Sequence, residues 1–216
     1  MKNLKLTLGL LALITAFVAC DNKKEKEAQK LIGEYTTYVD SINALNKEES
    51  AKEWAAIQTE QENKKIQAES AVTVVENKTA AQQEIDDATI KFETYKMEVE
   101  KSQAQMHKEQ LRKSLFKDNL VGEDLTFAWV NKDNILNVYE SFVETVQNNK
   151  DSYSREDWDE IKLLYEALDT RKNTVEKEGL STSDNLKIAA LKIKFAPMYN
   201  VNRVGAKAEE NSEAKE

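Results

Sequence analysis

Apolar residues recur along this chain at three- and four-residue steps, and that spacing restricts the fold more than any other feature. Leu31, Ile32, Tyr35, Tyr38, Val39, Ile42 and Leu45 fall on one stripe of an α-helix, whereas a half-buried strand would alternate in twos. One Pro and five Gly in 216 residues leave long helices few obstacles. The expected class is all-α.

The same spacing continues after each break. Ser50-Ala51-Lys52-Glu53 has the form of a capping box and introduces a helix carrying Trp54 and Ile57, then Ala68, Ala71, Val72 and Val75. Thr79-Ala80-Ala81-Gln82 reads as another start, with Ile85, Ala88, Phe92, Tyr95 and Val99 behind it and a run past Met106 and Leu111 toward Phe116. A helix of that length suggests a strut between two halves. Leu125 to Val130 is the least helical stretch, with Phe127 and Trp129 alternating as in a short extended segment. Helical spacing resumes with Ile135, Val138, Tyr139, Phe142, Val143 and Val146. Ser154-Arg155-Glu156-Asp157 then opens a helix bearing Trp158, Ile161, Tyr165, Leu168 and Val175, and Gly179 stands where a C-terminal cap needs it. From Ser183 a last helix carries Ile188, Leu191 and Phe195, and Pro197 is expected to end or kink it.

A shift of 104 positions, the distance from Tyr38 to Phe142, lays the early pattern on the later one. It pairs Leu31 with Ile135, Tyr35 with Tyr139, Val39 with Val143, Ser50 with Ser154, Trp54 with Trp158, Ile57 with Ile161, Thr79 with Ser183 and Tyr95 with Tyr199. One offset held through two loops, with a tryptophan on a tryptophan, implies two related three-helix units. The expected organisation is a segment 1–19 outside the fold, a charged tether 20–30, a first helical unit 31–118 with its third helix extended, and an irregular linker 119–130. A second unit 131–203 and a disordered acidic tail 204–216 complete it.

The front of the chain carries an address. Met1 to Lys5 is short and basic, Leu6 to Val18 is almost wholly apolar, and small Ala19 precedes Cys20, the only cysteine. Basic end, apolar run and small residue form the layout of an export signal, and the run is shorter than the roughly 20 residues a membrane span requires. A lone cysteine also means no internal disulfide. Phe17-Val18-Ala19-Cys20 resembles the lipobox of bacterial lipoproteins, with Phe17 where that family usually carries Leu. The resemblance implies acylation of Cys20 and anchorage in the inner or outer membrane of the cell envelope, on the periplasmic face or at the cell surface. Asp21 resembles an inner-membrane retention signal in one sorting scheme that other phyla do not follow, so both membranes stay open. The mature chain also resembles the small helical lipoproteins of Bacteroidota, on its signal, its Tyr-Val-Asp-Ser-Ile and Trp-x-x-Ile patterns and its acidic helices. That likeness implies no activity.

Once Lys2 and Lys5 leave with the signal, 29 basic residues face 39 acidic ones, an overall balance that gives no electrostatic footprint for nucleic acid or anionic lipid. His107 is the only histidine, with no cysteine beside it to share a metal, so a structural or surface role is expected. Glu156, Asp157, Asp159 and Glu160 crowd one helix start, where carboxylates favour the dipole, and no turn glycine makes them a calcium loop. Tyr35, Tyr38, Trp54, Tyr139, Phe142, Trp158 and Tyr165 have core spacing, though aromatic side chains at such positions can also line a ligand groove. No phosphate-binding glycine loop and no Ser-His-Asp pattern is present. The expectation is a non-catalytic envelope lipoprotein that binds another protein or acts as a scaffold, without cofactor or metal; the alternative is a small-ligand carrier using the aromatic groove.

Overall fold

In a computed structural model the described residues are predominantly helical, with α1 Asn3–Asn43, α2 Lys47–Lys52, α3 Trp54–Ala71, α4 Lys78–Phe116, α5 Ile135–Asn149, α6 Arg155–Lys177 and α7 Thr182–Glu213. The backbone is described for residues 3–117, 119 and 121–213, and side chains from residue 22 onward except 118, 120, 209 and 213–216. The Cys20 side chain, and with it the lipidation expectation, lies outside the described residues. No strand occurs among them, and no helix there is long and apolar enough to cross a membrane. The chain divides into two compact units, residues 1–104 and 105–216, so the division falls inside α4.

The first unit is built on a strict alternation of three- and four-residue steps. α1 buries Ala28, Ile32, Tyr35, Val39 and Ile42, and α4 buries Ala81, Ile85, Ala88, Phe92, Tyr95 and Val99. Such steps average 3.5 residues, the repeat that keeps one seam facing its neighbours, as in coiled coils. α3 supplies Trp54, Ile57, Ala68 and Ala71, and Trp54 stacks on Phe92 with ring centres 5.6 Å apart. Its weaker stripe is explained by Gln61, which is buried and donates to the Tyr35 hydroxyl at 3.2 Å; that hydroxyl also meets Thr89 Oγ1 at 2.9 Å.

Helix starts differ from the expected ones in a consistent direction. Asn46 caps α2, its Oδ1 accepting from the Glu48 N–H at 2.8 Å, which places Ser50 one turn inside helix. The Ser50 hydroxyl is thus released from capping and, buried, shares a 2.7 Å hydrogen bond with the Tyr95 hydroxyl. Asn77 and Ser181, rather than Thr79 and Ser183, accept from the first-turn N–H groups of Ala80 (3.1 Å) and Asp184 (3.0 Å). In each case an earlier polar side chain reaches the open N–H groups first, and the helix grows from there.

The second unit has more parts than a three-helix reading allows. α5 buries Ile135, Tyr139, Phe142, Val143 and Val146, α6 buries Trp158, Ile161, Leu164, Leu168 and Val175, and α7 adds Ile188 and Phe195. Leu111, Leu115 and Phe116 from the end of α4 join this core, as do Val121, Phe127 and Val130 from the segment expected to be a linker. That segment is neither extended nor outside a core: Leu125 (φ 50°) and Phe127 (φ 46°) take the left-handed conformation, at a cost of about 1 to 2 kcal/mol each. Burial offsets it, since Phe127 is 2 % exposed and meets Phe116 edge-on at 5.0 Å.

Both ends of the helical region reach further than expected. Residues 21–30 continue α1, and Ala28 is buried, so the tether is already part of the first unit. α7 passes through Pro197 to Glu213 in place of a tail from 204, with Ala206 against the core and Glu210 accepting from the Arg155 backbone N–H at 2.8 Å. Pro197 lies on the exposed face of α7, where the carbonyl it leaves unpaired faces water. The Ser154–Asp157 capping box and the Gly179 cap form as expected: Gly179 has φ 99°, and the N–H groups of Leu180 and Gly179 donate to Val175 O and Glu176 O, both at 3.3 Å.

Four of the pairs made by the shift of 104 share burial, Tyr35 with Tyr139, Val39 with Val143, Trp54 with Trp158 and Ile57 with Ile161, whereas Leu31 with Ile135, Ser50 with Ser154 and Tyr95 with Tyr199 each join a buried residue to a half-buried one. They do not share caps, and in the third helices the buried pairs Ile85 with Ile188 and Phe92 with Phe195 follow a shift of 103. Trp158 is 0 % exposed and Trp54 is 7 % exposed. Trp158→Ala and Trp54→Ala are each expected to destabilise their units by about 3 to 5 kcal/mol in urea unfolding; a midpoint equal to wild type for either would remove that tryptophan from the core.

Candidate functional site

A cluster of charged side chains in the second unit lies where α4 meets the first two turns of α6. Arg112 (6 % exposed) donates from Nε to Glu160 Oε1 at 2.7 Å and from Nη1 to Glu123 Oε1 at 3.1 Å, and also reaches Val121 O at 3.3 Å. Glu160 is buried too, and Lys108 Nζ approaches its second oxygen at 3.5 Å. One guanidinium therefore holds a helix start and the loop after α4 together. A carboxylate removed from water in this way needs that fork of donors, because an unpaired buried charge costs several kcal/mol.

His107, beside Lys108 and one turn before Leu111, is largely exposed, with Nε2 2.6 Å from Asp157 Oδ1. Asp157 is already committed: its Oδ2 accepts from the Ser154 N–H at 3.0 Å, while its own N–H donates to Ser154 Oγ at 3.1 Å. The serine oxygen is an acceptor in a cap, not a nucleophile aligned on the imidazole. Of the four acids expected to serve the dipole, Asp157 caps and Glu160 is buried with Arg112. Asp159 binds Arg203 of α7 at 2.5 Å, and Glu156 pairs with Arg155. The Arg203 hydrogen bond holds the Asp159 carboxyl below its usual range. Among the described residues no three Asp, Glu, His or Cys side chains gather to hold a metal.

The aromatic side chains expected either in the core or along a groove divide clearly. Tyr35, Trp54, Tyr139, Phe142 and Trp158 are buried, and Tyr38 and Tyr165 are half-buried against them. Tyr165 stacks on Phe195 at 4.3 Å, and the Tyr139 hydroxyl donates to Asp169 at 3.2 Å, an acid that also binds Lys192 at 2.5 Å. Burial, with the Asp169 charge added, raises both phenols, Tyr165 to about 12. These rings make cores, not an open groove.

An open cleft of about 220 Å³ does exist, but elsewhere in the second unit. Trp129, Phe116 and Val138 give it apolar walls, and Asn119, Asn134, Asn137, Ser141 and Lys117 add polar ones. Its loop side is fixed by Asn134 donating to Trp129 O at 3.0 Å and Arg171 donating to Val130 O at 2.8 Å. Trp129 keeps its buried indole N–H without an acceptor among the described residues. Sequence reasoning passed over this site because Trp129 lies outside any helical stripe. It missed Arg112 because nothing in the run Leu111-Arg112 marks a guanidinium as buried.

Residues 146–216, from within α5 through α6 and α7, match a family described as a domain of unknown function, DUF6565. No curated protein and no solved structure matches the chain.

The buried pair provides the sharpest test of this region. Arg112→Ala or Glu160→Gln alone is expected to cost about 3 to 5 kcal/mol in urea unfolding, whereas Arg112→Met with Glu160→Leu should recover most of it. Glu123→Ala, at a side chain 68 % exposed, should cost no more than about 1 kcal/mol. Equal, small losses from all the single variants would show the pair to be solvated.

Proposed function

We propose that this chain is a lipoprotein of the bacterial cell envelope, anchored by acyl chains on Cys20, whose helical units bind a protein partner or act as a scaffold and catalyse no reaction. The observation that carries the reading is the order at the front of the chain: Lys2 and Lys5, an apolar run, Ala19, then the only cysteine. Acyl chains contribute about 0.8 kcal/mol per buried CH2, so several of them suffice to hold a folded domain at a bilayer. Two helical units with their own cores suit such a role, since each can present a surface without reorganising the other.

A second reading, a small-ligand carrier, is favoured by the cleft beside Trp129, where an indole face, three amides and a lysine offer stacking and hydrogen bonds to a small polar molecule. Native mass spectrometry of the purified protein separates the two readings: a co-purifying small molecule lost in Trp129→Ala supports the carrier, and a stoichiometric protein partner after crosslinking in membranes supports the scaffold.

Labelled palmitate is expected to enter the wild-type protein in bacteria and to be absent from Cys20→Ala, which a high-salt wash should release from the membrane fraction while the acylated wild type stays. A wild-type chain that takes up no label would end the lipoprotein reading.

A further inference from the structure

We propose that the outer face of α7 is a membrane-contact surface that lies on anionic lipid headgroups. α7 turns Ile188 and Phe195 into the core of its unit, while Leu186, Ile193, Val201 and Val204 on the other side are 68, 75, 70 and 66 % exposed. At 100° per residue these four fall within about 80° of arc, with exposed Ala190, Pro197 and Ala208 between them. Four large aliphatic side chains in one stripe are not the scattered exposure of an ordinary surface.

Charge identifies the occupant. From Asn185 to Ala208 there is not one Asp or Glu, in a chain that has 39. The cations of that stretch divide by direction. Lys192 and Arg203 turn inward and are neutralised by Asp169 and Asp159 of α6. Lys187, Lys194 and Lys207 are exposed beside the aliphatic stripe. Lys187 has only Asp184 at 3.7 Å, and neither Lys194 nor Lys207 has a carboxylate within 4.0 Å among the described residues. An aliphatic stripe bordered by outward lysines fits the boundary between acyl chains and headgroups, with the lysine stems along the apolar layer and the ammonium groups at phosphate.

An exposed apolar pair of the first unit makes the contrast. Ile90 and Met97 on α4 are 65 and 63 % exposed, yet Asp86, Asp87, Glu93, Glu98 and Glu100 around them outnumber the one lysine on that face, Lys101. That face would be repelled by the lipids the α7 face attracts. A second copy of the chain fits the α7 face poorly, because like faces would set Lys187, Lys194 and Lys207 against their own images.

The inference deepens the envelope-lipoprotein reading but is tested without the lipid, so that each can fail alone. Among the described residues the first core begins at Ala28 and the second at Leu111, so residues 21–216 keep both and serve as the unlipidated protein. In co-sedimentation this protein should partition onto vesicles containing phosphatidylglycerol and not onto pure phosphatidylcholine, and added salt should weaken it. Lys194→Glu with Lys207→Glu should lower that partitioning at least about tenfold, on the basis of roughly 1 kcal/mol per lysine at such a surface. Ile193→Glu should lower it as well, with an unchanged urea midpoint, and Ile90→Glu should leave it as in wild type. The proposal is overturned by equal binding to both vesicle types, by no binding, or by wild-type binding of the lysine variant. It is equally overturned if the wild type sediments as a dimer that Ile193→Glu dissociates while vesicle binding persists.

Discussion

Everything in this protein depends on helices burying one stripe each against their neighbours. An isolated helix in water is marginal even at 15 residues, and α2 has six and α5 has 15. The first unit solves this with a regular seam of residues at alternating steps of three and four, along which Trp54 stacks on Phe92 and Tyr35 meets Thr89 and Gln61. The second unit uses wider, aromatic-rich faces, and a seam of that kind leaves gaps that its three long helices do not fill. The end of α4 and the loop carrying Phe127 and Val130 fill them, which is why two residues there hold a backbone conformation that burial has to offset.

Polar groups inside each unit follow from the same packing. A phenol hydroxyl carried inward by a helical stripe must find a partner, and the two paired tyrosines find different ones. Tyr35 uses Thr89 and Gln61, both neutral, whereas Tyr139 uses Asp169, which then requires Lys192 from α7. One unit is closed by uncharged hydrogen bonds and the other by charge, although the backbone positions correspond. Arg112 extends this charged solution in the second unit by joining α4, the loop and α6 through a single buried guanidinium.

The arrangement also bears on what the surface can offer. Because the large aromatic side chains are used in the cores, the outer helix faces and the cleft beside Trp129 are the surfaces left open to water. The acid-free face of α7 is the clearest case, since its inward cations are spent on α6 while its outward ones stay available.

By itself the sequence determined the helical class, the buried positions on α1, α5 and α6, the Ser154–Asp157 cap and the Gly179 turn. Each of these is set by residues within one or two turns of each other, where spacing and capping chemistry act locally. The helix starts at Asn46, Asn77 and Ser181 were missed because several polar residues near each start could cap it, and only packing decides which does. The placement of Val121, Phe127 and Val130 in a core, the passage of α7 through Pro197, the burial of Arg112 with Glu160 and the cleft at Trp129 were decided by tertiary structure. They depend on contacts between residues dozens of positions apart, as between Arg112 and Glu160 or Arg155 and Glu210, and on which face of a helix is left to water. Periodicity specifies that a stripe will be buried; the identity of its neighbour, and so the shape of any site, exists only once the helices have packed.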